Sequence, residues 1–187
     1  MKQAKMLALT ICLFILCGCS KSVKYEEMYT DWRDAFLATN EHSIQAVVTA
    51  QDEKKAGEFT LLYTLNAEGE TVEVLAPEMI AKVKARLEDG KTDLSYDGVI
   101  LETGSSLSEQ LSPLMSLATF MDILAGGHPE NSWQEKKDGS VLLVTELEMP
   151  DGTILTLWQN QSNMSPVYAD IRSADSVEIK IKFTKVE

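Results

Sequence analysis

Four Asp-Gly pairs punctuate the chain: Asp89-Gly90, Asp97-Gly98, Asp138-Gly139 and Asp151-Gly152. Around them apolar and polar residues alternate with a period of two. Tight two-residue hairpin turns favour this pair, because Asp tolerates positive φ and Gly adopts it freely. Val141 to Glu148 and Thr153 to Gln159 flank Pro150-Asp151-Gly152. Val177, Ile179, Ile181 and Phe183 alternate with Glu178, Lys180 and Lys182. Such a chain is predicted to fold as an antiparallel meander.

The other strands follow by the same reasoning. Ile44 to Thr49 is strand-like, and Phe59 to Leu65 pairs with Thr71 to Leu75 across a turn at Ala67 to Glu70. Pro77 to Leu87 has the propensity of a helix but also alternates. Two close Asp-Gly turns favour a strand there after a Pro-Glu turn. Thr92 to Tyr96, Val99 to Glu102, Trp133 to Glu135 and Pro166 to Arg172 complete about eleven strands.

Two segments break the alternation. Tyr25, Met28, Tyr29, Trp32 and Phe36 recur at helical spacing, opposite Glu26, Glu27, Asp31, Arg33 and Asp34. This predicts an amphipathic helix of about 15 residues laid on a broad apolar surface. Pro113 to Ala125 predicts a second helix, ended by Gly126-Gly127. Its only polar positions are Ser116, Thr119 and Asp122, so it needs cover on more than one side.

The N-terminus reads as an address. Lys2 and Lys5 precede an apolar run from Met6 to Cys17, then Leu16-Cys17-Gly18-Cys19. This resembles a bacterial lipobox, which implies cleavage before Cys19 and a diacylglycerol on its thiol. The alternative, an uncleaved anchor, requires a span of about 20 apolar residues. The expected organisation is a signal peptide over 1–18, a lipidated tether over 19–24 and one domain over 25–187. The expected location is the extracytoplasmic face of the cell membrane. Cys12 and Cys17 leave with the signal, so the folded part has no disulfide or thiolate metal site.

Composition narrows the function. There are 29 acidic and 17 basic residues, a formal charge of −12. The basic pairs Lys54-Lys55 and Lys136-Lys137 have acidic neighbours, so no nucleic-acid-binding patch is expected. Hydrophobic residues at 44% predict a packed core. His42 and His128 sit beside turn-like segments and read as solvated loop residues. No Gly-x-Ser-x-Gly elbow or His-x-Glu-x-His spacing is present, and the Asp-Gly carboxylates read as turn residues. No catalytic residue, metal or cofactor is expected. Trp32, Trp133 and Trp158 fit core or interface packing better than ligand stacking.

Several segments together resemble the LolA/LolB superfamily of lipoprotein carriers, and within it Gram-positive, lipid-anchored, outer-membrane lipoprotein-sorting-like proteins. These are Pro77 to Ala81, Leu94 to Glu102, the apolar helix after Ser112-Pro113, and Pro166 to Ala169 with Val177 to Ile181. The resemblance implies an α+β fold: a single curved antiparallel half-barrel, covered by the N-terminal helix and an inserted apolar lid helix. It further implies an apolar cavity for a lipid or acyl ligand, with Leu114, Leu117, Phe120, Met121, Leu124 and Trp158 as candidates to line it. The carrier of that family gates its lid with an arginine. Arg33, Arg86 and Arg172 are the only arginines here, and none lies in a matching motif. The alternative is a packed module that binds another envelope protein.

Overall fold

The computed structural model describes residues 20–52, 55–88, 91–101, 113–173 and 178–187. The proposed signal peptide, Cys19 and the Asp89-Gly90 turn lie outside these residues.

The chain opens with helix α1 (Ser20–Leu37). Six strands follow: β1 (His42–Asp52), β2 (Lys55–Asn66), β3 (Gly69–Ala76), β4 (Val83–Glu88), β5 (Lys91–Tyr96) and β6 (Val99–Leu101). A 3₁₀ turn (Pro113–Met115) leads into helix α2 (Ser116–Gly126). Five strands complete the chain: β7 (His128–Lys137), β8 (Ser140–Glu148), β9 (Ile154–Asn160), β10 (Pro166–Arg172) and β11 (Glu178–Val186).

All eleven strands form one sheet, in the order β6-β5-β4-β3-β2-β1-β11-β10-β9-β8-β7. The sheet is open and curled, as the half-barrel expectation requires. The order explains the shape. From β1 the chain steps outward to one edge, crosses to the other through α2, and steps back to pair β11 with β1. Ser43 and Glu187 exchange two backbone hydrogen bonds of 2.9 Å where the ends meet. Because α2 lies in the crossover between the two edges, it is free to cover the sheet.

Alternation assigns the two faces. The inner row runs through Ile44, Ala46, Val48, Leu61, Tyr63, Val72, Val74, Ala85, Leu155, Leu157, Ala169, Ile171, Ile179 and Ile181, all buried. Asp97-Gly98 and Asp138-Gly139 both have φ of 50° and 83°, the left-handed pair that a two-residue hairpin turn needs.

Three local readings change. Helix α1 begins at Ser20, so the stretch expected as tether extends the helix. The turn before β4 is a 3₁₀ turn over Glu78–Ile80, and Lys82 then takes φ of 77° to enter the strand. His42 is not a solvated loop residue. It begins β1, is buried, and packs its ring 4.3 Å from that of Phe36. Burial lowers its pKa, opposed by a hydrogen bond with the Thr39 backbone. His128 is exposed at the start of β7.

Candidate functional site

Helix α2 is held by its apolar surface. Leu117, Phe120, Ile123 and Leu124 are fully buried or nearly so, and Met121 is 8% exposed. The Phe120 ring lies 5.0 Å from that of Phe183 on β11. Leu114 is partly buried against the same core. The structure therefore brings Leu114, Leu117, Phe120, Met121 and Leu124 together on the concave side. The helix ends where Gly127 N donates to Ile123 O at 2.8 Å. A side chain at Gly127 would put Cβ 2.6 Å from that carbonyl oxygen and 3.2 Å from Leu147 Cβ. Only glycine lets the chain pass so close to β8.

Trp158 is elsewhere. It alternates with Leu155 and Leu157 on β9 and so faces the outer side. There it packs with Leu142, Val144, Val167 and Tyr168 in a separate small cluster. Its indole donates to Glu135 Oε2 at 3.0 Å, and Lys137 Nζ sits 3.8 Å from the ring centroid. A residue of strand period has two possible faces, and the expectation that Trp158 lines the interior put it on the wrong one.

The inner apolar face does not stop at the helix. Strands β4 to β6 carry it further, because cross-strand pairs share a face. Val72 pairs with Ala85, Ala85 with Leu94, Val83 with Tyr96, and Tyr96 with Val99. Val83, Leu87 and Leu94 are partly buried, whereas Tyr96 is 45% and Val99 65% exposed. Met79, in the turn before β4, is more exposed still. The concave side thus has a closed end under α2 and an apolar end on β4 to β6 that no described element covers.

Two polar groups border the helices. Tyr63 on β2 hydrogen-bonds the Glu70 carboxylate of β3, and Asp122 of α2 acts on both. Burial and the Asp122 charge raise the Glu70 pKa; burial raises that of Asp122. Glu70, the second residue of β3, lies on the inner face, opposite Leu65. The sequence reading had it as part of a turn. The second group joins the helices. Arg33 Nη1 of α1 donates to Gly127 O, at the end of α2, at 3.3 Å. No motif marked Arg33, although its spacing of four from Tyr29 puts both on one face of the helix.

Two clefts lie away from α2. One of about 280 Å³ lies on the outer face of β2 to β5, lined by Thr64, Thr71, Lys84, Arg86 and Ser95 among others. The other, about 160 Å³, lies between Glu26 of α1 and Pro129–Ser132. No group of three or more His, Cys, Asp or Glu is placed to hold a metal ion among the described residues. No described helix is long and apolar enough to cross a membrane.

No family model matches the chain, and no curated protein matches it. Some solved structures are similar. A DUF1329 family protein from Desulfovibrio piger is 11% identical, with a TM-score of 0.49 over 87% of this chain and 90% of that one. A LolA superfamily protein from Nitrosomonas europaea is 12% identical, with a TM-score of 0.45 over 86% and 92%. The Mycobacterium tuberculosis lipoprotein LppX is 14% identical, with a TM-score of 0.46 over 86% and 95%. Likeness at this level assigns neither ligand nor partner to this chain.

Proposed function

We propose that this protein is a lipid-anchored, non-catalytic envelope protein that binds an acyl chain on the concave side of its sheet. One observation carries the reading: the inner apolar face continues past α2 onto β4 to β6, where Tyr96 and Val99 are exposed. A fold that only needed a core would end its apolar face where its cover ends. An acyl chain could start on this uncovered strip and extend inward as α2 yields. Leu114, Leu117, Phe120, Met121 and Leu124 would then face the chain. Cys19 would carry the anchor. Since α1 starts at the next residue, the domain would sit close to the membrane surface.

The test uses the chain from Ser20 onward, which contains every described element. Native mass spectrometry reads co-purified lipid, and equilibrium dialysis reads added palmitate. Bound palmitate that is lost in Val99→Glu, with thermal stability unchanged, supports the reading. Val99 is 65% exposed, so the charge does not disturb the packed helix.

A second reading also has an observation behind it. Leu117, Phe120 and Leu124 have no exposed surface, so the covered end of the concave side is filled by the protein's own side chains. A filled interior suits a module that presents its surface to another envelope protein. Wild-type protein that binds no palmitate, hexadecanol or phospholipid favours this reading.

A further inference from the structure

The cleft of about 280 Å³ on the outer face is lined by polar side chains throughout, Gly69 apart. Alternation builds it. Tyr63, Val72 and Ala85 are buried on the inner face, so Thr64, Thr71, Lys84 and Arg86 project outward. Cross-strand pairing sets Thr64 beside Thr71, Thr71 beside Arg86, and Lys84 beside Ser95. The β2–β3 turn borders the cleft, and there Arg86 Nη2 donates to Glu68 O at 2.9 Å. Acids do not use up the two cations. Lys84 stands opposite Glu73 across the strands and Arg86 opposite Asp93, yet neither pair forms an ion pair. Arg86 Nε meets Glu88 only at 3.6 Å, with both side chains more than half exposed. Lys84 has no ion pair among the described residues. A lysine that lines a cleft with its charge unmatched is available to a ligand there.

We infer that this cleft binds the phosphate ester of a small polyol, with glycerol phosphate as the unit it fits. Lys84 Nζ and Arg86 Nη1 meet the phosphate oxygens, as charged donors favour. The hydroxyls of Thr64, Thr71 and Ser95 meet those of the polyol, because a hydroxyl both donates and accepts. Asn66 Oδ1 is held by the Glu68 backbone N–H at 2.8 Å, which leaves its amide nitrogen to donate. The volume lies just under the 300 Å³ or so at which pockets for drug-sized ligands begin, so the ligand is small. No aromatic side chain lines the cleft, so nothing favours a stacked base or an apolar group. The whole chain carries −12, so the local pair of cations, and not the overall field, selects the anion. Glycerol phosphate occurs both as a phospholipid headgroup and as a free or polymeric ester. The cleft is separate from the concave side and does not rest on the acyl-binding reading.

The experiment titrates the chain from Ser20 onward into glycerol phosphate and into inorganic phosphate, read by phosphorus NMR. Wild type is expected to bind glycerol phosphate, and more tightly than inorganic phosphate. Lys84→Gln and Arg86→Gln are each expected to weaken that binding about three- to tenfold, the scale of one exposed charge-assisted contact. Lys84→Gln is the cleaner of the two, since it breaks no ion pair in the fold. Thr71→Val is expected to bring glycerol phosphate down to the level of inorganic phosphate. Lys82→Gln, whose lysine pairs with Asp97 at 3.0 Å outside the cleft, is expected to change nothing. Flotation with phosphatidylcholine vesicles, with and without phosphatidylglycerol, separates the two sources. Vesicle binding that needs phosphatidylglycerol and is weakened by Lys84→Gln assigns a lipid headgroup. Binding of the soluble ester without vesicle binding assigns a free or polymeric one. Inorganic phosphate bound as tightly as glycerol phosphate overturns the polyol half of the inference. An equal loss in Lys82→Gln, or no binding of ester or vesicle by wild type, overturns the site. Palmitate binding is expected to be the same in Lys84→Gln as in wild type, so failure here leaves the acyl-binding reading untouched.

Discussion

Two adjacent glycines at the end of α2 should respond to the same substitution with opposite signs. At Gly126 a new Cβ would lie 3.6 Å from Met149 Cε and 3.7 Å from its sulfur. Both are ordinary contacts with a flexible side chain. Alanine there removes the backbone entropy that glycine loses in a helix, so Gly126→Ala should stabilise by about 0.5–1 kcal/mol. At Gly127 the new Cβ would meet the Ile123 carbonyl oxygen at 2.6 Å, Ile123 Cγ2 at 3.1 Å and Leu147 Cβ at 3.2 Å. The oxygen belongs to the hydrogen bond that ends the helix and cannot move without breaking it. The helix end must lift from β8, at a cost of about 1–3 kcal/mol or more. For a domain this size, 1 kcal/mol moves the melting temperature by about 2–4 °C. Differential scanning fluorimetry should show Gly126→Ala up by a few degrees and Gly127→Ala down by about 2–12 °C. The same sign for both would mean that α2 is not docked this tightly on β8, and the closed end of the concave side would go with it.

Other perturbations test other parts of the fold. Phe120→Ala should cost about 3–5 kcal/mol in urea denaturation, since Phe120 is fully buried against Phe183. Leu142→Ala, in the separate outer cluster, should leave palmitate binding unchanged while lowering the urea midpoint. Glu70 and Asp122 have raised pKa values in the fold, so the folded state holds their protons more tightly than the unfolded one. Their contribution to stability is fully present below the ordinary carboxylate range and is lost as pH rises through the raised values; Glu70→Gln should therefore be more stable than wild type at pH 7, with the gap closing at pH 4. Tyr29 behaves alike at the alkaline end: with a pKa pushed up to about 12, its contribution falls away from about pH 10 upward, by roughly 3 kcal/mol.

The sheet was legible in the sequence because its signal is local. Alternation and Asp-Gly turns are properties of a few neighbouring residues, and Asp97-Gly98 and Asp138-Gly139 turn as expected. Even the ambiguous Val83 to Leu87 fell to this reasoning: it is strand β4, despite its helical propensity. The apolar circumference of α2 likewise foretold its burial. What failed depended on packing that the local pattern does not carry. His42 looks like a loop residue beside Asn40-Glu41, yet it is buried, with its ring against that of Phe36. Trp158 could face either side until the sheet order placed Leu155 and Leu157 inside. Glu70 reads as a turn residue, yet its carboxylate meets Tyr63 on the next strand and Asp122 on α2. Arg33 carries no motif, because its contact with Gly127 spans 94 residues.

A filled interior and an acyl-binding interior need not conflict, because their energies are of the same size. Leu117, Phe120, Met121, Ile123 and Leu124 are the large apolar side chains that α2 buries. At about 1.5–3 kcal/mol each, they hold the helix with roughly 8–15 kcal/mol. A palmitoyl tail with about fourteen methylenes, at about 0.8 kcal/mol each, supplies roughly 11 kcal/mol when buried. On the acyl-binding proposal, exchange of one for the other is close to balanced, so α2 would stay down without a ligand and yield to a long chain. An eight-carbon acid supplies only about 5 kcal/mol and cannot hold the helix off. Affinity should therefore drop about fourfold for each methylene removed, and octanoate should not compete with palmitate in dialysis. Octanoate that binds as tightly as palmitate would mean that the tail stays on the exposed strip of β4 to β6 and never replaces α2.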